Sequence, residues 1–508
     1  MSLQQKIDRI TDILRRDDGI SGAMHYTEQT SWILFLKFLD DYEAEKAEKA
    51  EKAEKAEKAE KAEKADEAIL SGIDYIPVLD EEYRWSNWAC PKTPDGKPDI
   101  QKARTGDDLR EYVNGELFPY LKGFRNDSQA DPGSFRYKIG AIFEYLDNKI
   151  ASGHTLREVL DIIDTLNFQS ETELFELSQV YEGLLQNMGD AGGYAGEFYT
   201  PRSLIRAIVQ VIDPQPGQSV YDAAAGSCGF LIEAFEHLKA GRQQLTTSQW
   251  DQIQQQTFYG YEKTTLAYVM GMMNMILHGI ESPNLYRQNT LTQNIRDIQE
   301  KDRFDLILAN PPFGGKEKAQ IQQNFPIQSN ATELLFLQHF MKSLKSGGKA
   351  AIVVPEGVLF QTNSAFTQVR QELLEHFNLH TILSLPAGVF LPYSGVKTNV
   401  IFFERSGGTT ETWFYECEPE QKLTKNKPLN DGHLAEFVEL YALRTTTDHS
   451  WTVPVDKLKE DYDLSAKNPA KQTEVEHLPP RKILELIQEK EAAVTNLLGE
   501  IDELLGEQ

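Results

Sequence analysis

From about residue 196 the chain alternates short apolar runs with amphipathic stretches, and this alternation constrains the fold more than any other feature. The runs are Ser219–Asp222, Phe258–Glu262, Phe304–Ala309, Ala350–Val354, Thr381–Leu385 and Asn399–Phe403. Short strands separated by helices build a parallel sheet of the α/β class. The fold class expected for this part is therefore α/β.

The preceding residues, 1 to about 165, read as mostly helical. Ser31–Phe38 is a densely apolar helix that has to be buried. From Glu45 to Ala65 the chain repeats Glu-Lys-Ala seven times, and each Glu meets a Lys four residues on, as Glu45 meets Lys49. Such pairs support a solvated helix. With no apolar stripe, the block reads as an inert, length-variable insertion rather than a docking arm. After about residue 410 the chain is more polar, and Pro479-Pro480 precedes a last helix. Its Leu484, Ile487, Val494, Leu498, Ile501 and Leu505 form an apolar seam that Glu491 interrupts. This short coiled-coil-like face suits its own domain or a partner equally. The expected domains are 1–165, helical with the insertion at 45–65; 166–410, the α/β unit; and 411–508, a C-terminal region carrying the last helix.

Composition narrows the function. The chain has 78 acidic and 52 basic residues, a formal net charge of −26. Non-specific nucleic-acid affinity comes mainly from Lys and Arg neutralising phosphates, so a chain like this that handled DNA would need a partner for much of its grip or a local basic surface hidden by the acidic average. No stretch approaches the ~20 apolar residues that span a bilayer. The first residues, MSLQQKIDRITDILRRDD, are amphipathic and lack the apolar core of a signal peptide. A cytoplasmic protein without membrane contact is expected. Cys90, Cys228 and Cys417 are too far apart for a disulfide framework or a thiolate metal cluster.

Two stretches carry the chemistry. SVYDAAAGSCGFLIEAF places a strand, Asp222, a small-residue loop with Gly226 and Gly229, then a helix. Ligands of doubly wound sheets bind beyond the carboxyl ends of the strands, where glycines let the backbone approach. The loop alone fits a nucleotide site or a tight connection. It does not extend to G-x-G-x-x-G, and no phosphate-binding Gly-Lys-Ser/Thr occurs. The next strand ends at Glu262, where a carboxylate can accept both hydroxyls of a ribose or cap the following helix. Asn289 can offer an amide to an adenine edge or close a turn.

The second stretch, FDLILANPPF at Phe304–Phe313, runs an apolar strand into Asn-Pro-Pro-Phe. Two prolines fix the backbone and remove two amide donors. The Asn310 side-chain oxygen and the Pro311 carbonyl can then hold the two hydrogens of an exocyclic amine. With its hydrogens held, the nitrogen lone pair is freed from the ring. Phe313, after Pro312, offers a face for a base turned out of a duplex.

Here a resemblance becomes specific. Asn310–Phe313 resembles the signature of amino-methyltransferases, and Asp222–Leu231 their D-P-A-x-G-x-G-x-F-L loop, with Ala223 for Pro and Cys228 within it. GEFYTPR at Gly196–Arg202 is similar to the motif that holds the methionine end of S-adenosylmethionine, and the motif order is that of the γ class of DNA methyltransferases. HYTEQTSWILFLKFLDD near the start, Leu177–Leu185, His380–Phe390, Gly395–Arg405 and the last helix all resemble the modification subunit of type I restriction-modification systems. The likeness covers most of residues 20–405, with the Glu-Lys-Ala block as an insertion.

The resemblance implies an S-adenosylmethionine-dependent, Rossmann-like sheet and transfer of a methyl group to adenine N6 in duplex DNA. It implies cofactor contacts from Glu197, Phe198, Tyr199, Thr200, Pro201, Arg202, Asp222, Gly226, Ser227, Cys228, Gly229 and Glu262, joined by Asn289, and catalysis at Asn310, Pro311, Pro312 and Phe313. Displacement at a methyl carbon needs no metal. The implied partners are a specificity subunit, a second methyltransferase subunit and a restriction subunit. Alternatives are a protein-glutamine methyltransferase, which usually carries Tyr where Phe313 stands, and a self-sufficient DNA enzyme, for which the residues after Arg405 are too few and too acidic. A non-catalytic assembly subunit would leave the intact Asn310–Phe313 turn without a reason.

Overall fold

The structure is a computed structural model, and it describes residues 2–63, 77–168, 181, 183, 200–471 and a few positions between 484 and 497, apart from 94, 96, 127–130, 392 and 393. Nine strands form one sheet: β1 Val220–Asp222, β2 Phe258–Glu262, β3 Asn284–Arg287, β4 Phe304–Ala309, β5 Leu344–Pro355, β6 Asn378–Ser384, β7 Thr398–Glu404, β8 Glu411–Glu416 and β9 Ser450–Pro454. Their spatial order is β3-β2-β1-β4-β5-β7-β6-β8-β9. The chain steps outward from β1 through β2 to β3, then returns to lay β4 on the other side of β1. That reversal opens a crevice at the carboxyl ends of β1 and β4. Register aligns its walls, with Asp222 beside Gly260 of β2 and Tyr221 beside Ile307 of β4. Glu262 ends β2 and Asn310 follows β4, so both stand on the same edge as Asp222.

All six apolar runs are strands, but the sheet is mixed rather than parallel. Strand β7 is antiparallel to both β5 and β6. The link from β6 to β7, residues 385–397, returns without a crossover helix, and a direct return gives antiparallel pairing. Strands β8 and β9 then continue the sheet past residue 410, with β8 parallel to β6 and β9 antiparallel to β8.

The helical region begins with α1 Leu3–Leu14, whose Ser2 closes a capping box with Gln5 and whose Ile7, Ile10 and Leu14 are buried. Helix α2, Ala23–Glu63, contains the apolar run and continues through most of the Glu-Lys-Ala block. Trp32, Ile33, Leu34 and Phe35 are fully buried. Helix α3 Arg202–Ile212 precedes β1, helix α4 Gly229–Ala240 follows it, and helix α5 Thr265–Leu277 follows β2. Residues Ala267–Leu277 are buried without a break. A helix apolar on all sides must be covered on all sides, and α5 lies against β2, β3 and α2. Lys46, at the start of the repeat, pairs with Glu281 just beyond α5 at 2.7 Å.

Residues from Ala466 onward form a separate unit. Of the expected seam only Leu484 is described, and it is exposed; the other seam positions lie outside the described residues. No helix among the described residues is long and apolar enough to cross a membrane.

Gly271 shows how closely α5 approaches the crevice. A Cβ there would stand 2.8 Å from both Cys228 Sγ and Gly226 O. Alanine normally favours a helix interior by about 1 kcal/mol over glycine. Gly271→Ala is nevertheless expected to destabilise by ~1–3 kcal/mol through overpacking, read as a lower melting temperature. An unchanged or higher value would show that the loop yields freely.

Candidate active site

The loop after β1 is held from four directions. Glu262 Oε2 accepts the Gly226 N–H at 3.0 Å. The Thr290 hydroxyl donates to Ala223 O at 2.6 Å, Arg202 Nη1 to Gly229 O at 3.0 Å, and Asn274 Nδ2 to Ser227 O at 2.9 Å. Gly226 has φ +51°, as a tight turn asks, and Cys228 has φ +65°, rare for a side-chain-bearing residue. Cys228 is fully buried against α5, which sustains that strained backbone. A Cβ on Gly229 would meet Ile205 Cδ1 at 2.8 Å, so helix α4 starts close against α3.

The two carboxylates behave unlike surface acids. Asp222 is buried and accepts the Ala224 N–H at 3.0 Å. Burial raises its pKa to about 8; the Ala224 bond opposes the rise and the nearby charge of Glu262 adds to it. Burial also raises Glu262, against the opposing bonds from Thr264 and Gly226. Glu262 accepts the Thr264 N–H at 2.6 Å, just before α5, and it lines a cavity of about 270 Å³.

That cavity is walled by Ala223, Glu262, Lys263, Asn289, Leu291, Asn310, Pro312, Thr332 and Phe336, among others. Asn289 lines it too, but its side-chain oxygen accepts the Leu291 N–H at 3.1 Å. The turn therefore takes the acceptor of Asn289 and leaves its amide hydrogens for a ligand. Asn310 also lines the adjoining recess formed by Thr200, Arg202, Asp222, Ser227 and Gly229. The two expected motifs meet at this residue.

Asn310 Nδ2 donates to Thr200 Oγ1 at 3.0 Å, while Asn310 Oδ1 is buried without a hydrogen-bond partner. Thr332 Oγ1, on the cavity wall, is likewise unpartnered. Buried polar atoms are nearly always paired, so a bare amide oxygen and a bare hydroxyl on one cavity wall fit a polar ligand and a hydrogen-donating substrate. Pro311 is buried and Phe313 half-buried, and Phe313 packs edge-to-face on Phe390 with centroids 5.5 Å apart at 82°. Glu197, Phe198 and Tyr199 lie outside the described residues, as does Leu177–Leu185 except Tyr181 and Gly183. Pro201 caps the start of α3.

Four contributors escaped the sequence reading: Asn274, Thr290, Thr332 and Phe390. Phe390 belongs to the His380–Phe390 segment and could have been singled out there. Asn274 had a signal too, as the one amide in the apolar helix Thr265–Leu277. The others sit in ordinary turn and helix sequences.

The Asp222 carboxyl yields a pH test. A folded pKa above the unfolded 3.8 means that its stabilising proton is fully present below about pH 4 and lost as pH rises through about 8. Ligand-free Asp222→Asn is therefore expected to gain stability over the native chain as pH is raised from 4 to 8. Parallel melting curves that keep a constant gap across that window would contradict a buried, protonated Asp222.

Residues 174–478 match the family model described as N-6 DNA Methylase, and residues 3–163 match the HsdM N-terminal domain. The Escherichia coli type I restriction enzyme EcoEI methylase subunit is 34% identical over 520 residues, spanning 100% of this chain and 98% of the relative. A chain solved in work on complex assembly and conformational transition of the type I restriction-modification system is 42% identical, with a TM-score of 0.73 over 100% of this chain and 98% of the other. A crystal structure described as a type I modification subunit from Vibrio vulnificus YJ016 is 35% identical, with a TM-score of 0.79 over 94% of this chain and 99% of the other.

Proposed function

The chain belongs to the N-6 DNA methylase family, among the methylase subunits of type I restriction enzymes, and from that premise we propose that Asn310 presents adenine N6 of duplex DNA for methylation. The observation that carries this reading is the bare, buried Oδ1 of Asn310, aimed by the bond from its Nδ2 to Thr200. S-adenosylmethionine, when bound, supplies an electrophilic methyl group on a sulfonium. Asp222 and Glu262 offer polar oxygens to such a ligand, and Glu262 retains acceptor capacity for ribose hydroxyls, since a carboxyl group has more than two acceptor positions.

The mechanism then follows from the chain's own groups. Asn310 Oδ1 and the Pro311 carbonyl accept the two N6 hydrogens and localise the nitrogen lone pair toward the methyl donor. Thr200 holds the amide nitrogen, and with its oxygen left bare Asn310 offers an acceptor to a donor. Phe313, braced by Phe390, stacks on the extruded base. Activity on DNA is assigned to an assembly with a specificity subunit and a second methylase subunit, joined by a restriction subunit in the full complex and working in the cytoplasm. The last helix is assigned to that assembly.

Asn310→Ala is expected to abolish methylation while sparing cofactor affinity in calorimetry. Thr200→Val should lower kcat at least tenfold, the factor set by about 1.4 kcal/mol for one lost hydrogen bond, and Thr200→Ser should restore most of it. Near-normal turnover of Asn310→Ala would sink the mechanism.

Gel-shift titration checks the assembly. The isolated chain should bind cofactor yet show no preference between specific and scrambled duplexes until the specificity subunit is added. Sequence-selective binding and full methylation by the chain alone would favour a self-sufficient enzyme.

A further inference from the structure

The residues just past the catalytic turn form a rigid, extended rung. Lys316 and Ala331 make an isolated antiparallel bridge, the Glu317 N–H donates to Asn330 O at 2.9 Å, and the Thr332 N–H donates to Gly315 O at 3.2 Å. Successive extended residues face opposite sides. Glu317 is half-buried and lines the cavity, whereas Lys316 and Lys318 are exposed. Gly315 fits because its hydrogen faces Thr332, where a Cβ would come within 2.5 Å of Oγ1. Among the described residues neither lysine has a carboxylate partner, although the chain has 78 acidic residues against 52 basic ones.

We propose that Lys316 and Lys318 grip backbone phosphates of the DNA strand that carries the target adenine. The proposal rests on the adenine-methylating reading and adds a phosphate contact beside the site of this acidic chain. Two ammonium groups on one side of a pinned segment, continuous with Asn310–Phe313, stand where a strand must pass to deliver its base. Phosphate contacts fix register and carry no sequence information themselves. The pair therefore positions the strand and leaves recognition to the specificity subunit.

The test uses the assembled methylase complex with its cofactor and the double substitution Lys316→Gln/Lys318→Gln. DNA affinity is measured between about 50 and 200 mM salt, the range over which phosphate contacts show most clearly, on specific and scrambled duplexes. Each lost phosphate contact should reduce the slope of log affinity against log salt by about 0.9, so the double variant should lose roughly 1.8. Binding to both duplexes should weaken alike, with cofactor affinity and turnover at saturating DNA unchanged. Lys316→Arg/Lys318→Arg should retain the native slope. A native slope in the Gln variant, or a loss confined to the specific duplex, overturns the proposal while the methylation reading stands. If the native complex neither binds nor methylates DNA, the methylation reading fails first and this one with it.

Discussion

The site depends on one buried carboxylate. Glu262 ends β2, and its two oxygens reach in different directions, one to the Gly226 N–H of the loop after β1 and the other to the Thr264 N–H opening α5. An acid is costly to bury unless hydrogen bonds replace its water, and here the two bonds that do so also shape the crevice. Replacing either oxygen by an amide NH2 would set donor against donor. The same burial raises Asp222, and the nearby charge of Glu262 raises it further. The bonds that shape the loop and the burial that shifts its carboxyls are therefore one arrangement.

Asn310 shows the complementary economy. Its amide has two chemically opposite ends, and the nitrogen stands against the hydroxyl of Thr200. The oxygen left bare is the end a substrate amine needs. Thr200 comes from the segment before α3 and Asn310 from the end of β4, so the site forms only when the switch point beside β1 brings both to the same edge. Local sequence supplies each group, and topology alone makes them a pair.

Much of this was legible before the structure because burial dictates composition. The six central strands announce themselves as apolar runs, and Phe304–Phe313 shows both its strand and its turn. Strand β3 left no such trace, since at the sheet edge Leu285 is buried while Tyr286 is 46% exposed. Strand β8 was hidden by the polar residues around it, although Trp413, Phe414 and Tyr415 are buried. The mixed character of the sheet depends on how residues 385–397 return, which residue types do not reveal. In the site, residue types named Asp222, Glu262 and Asn310 but not their mutual bonds. The loop's support from Asn274 and Thr290 is long-range and has no periodicity to betray it. Asn289 marks the boundary, because one amide serves a turn or a ligand with the same atoms and only geometry divides them.

Helix α5 explains why the helical region and the catalytic sheet come as one body. Its amide Asn274 and its Gly271 stand against the loop after β1, and the helix also packs on the sheet and on α2. Met270, Met272, Met273 and Met275 are all fully buried, and burying each side chain of that size is worth about 1.5–3 kcal/mol. Helix α2 is thus part of the cover that lets a mostly apolar helix stand behind the loop. Because α5 is pinned on both sides, the loop cannot shift without disturbing the packing under α2. The helical region therefore helps support the loop after β1, though none of its described residues lines the crevice.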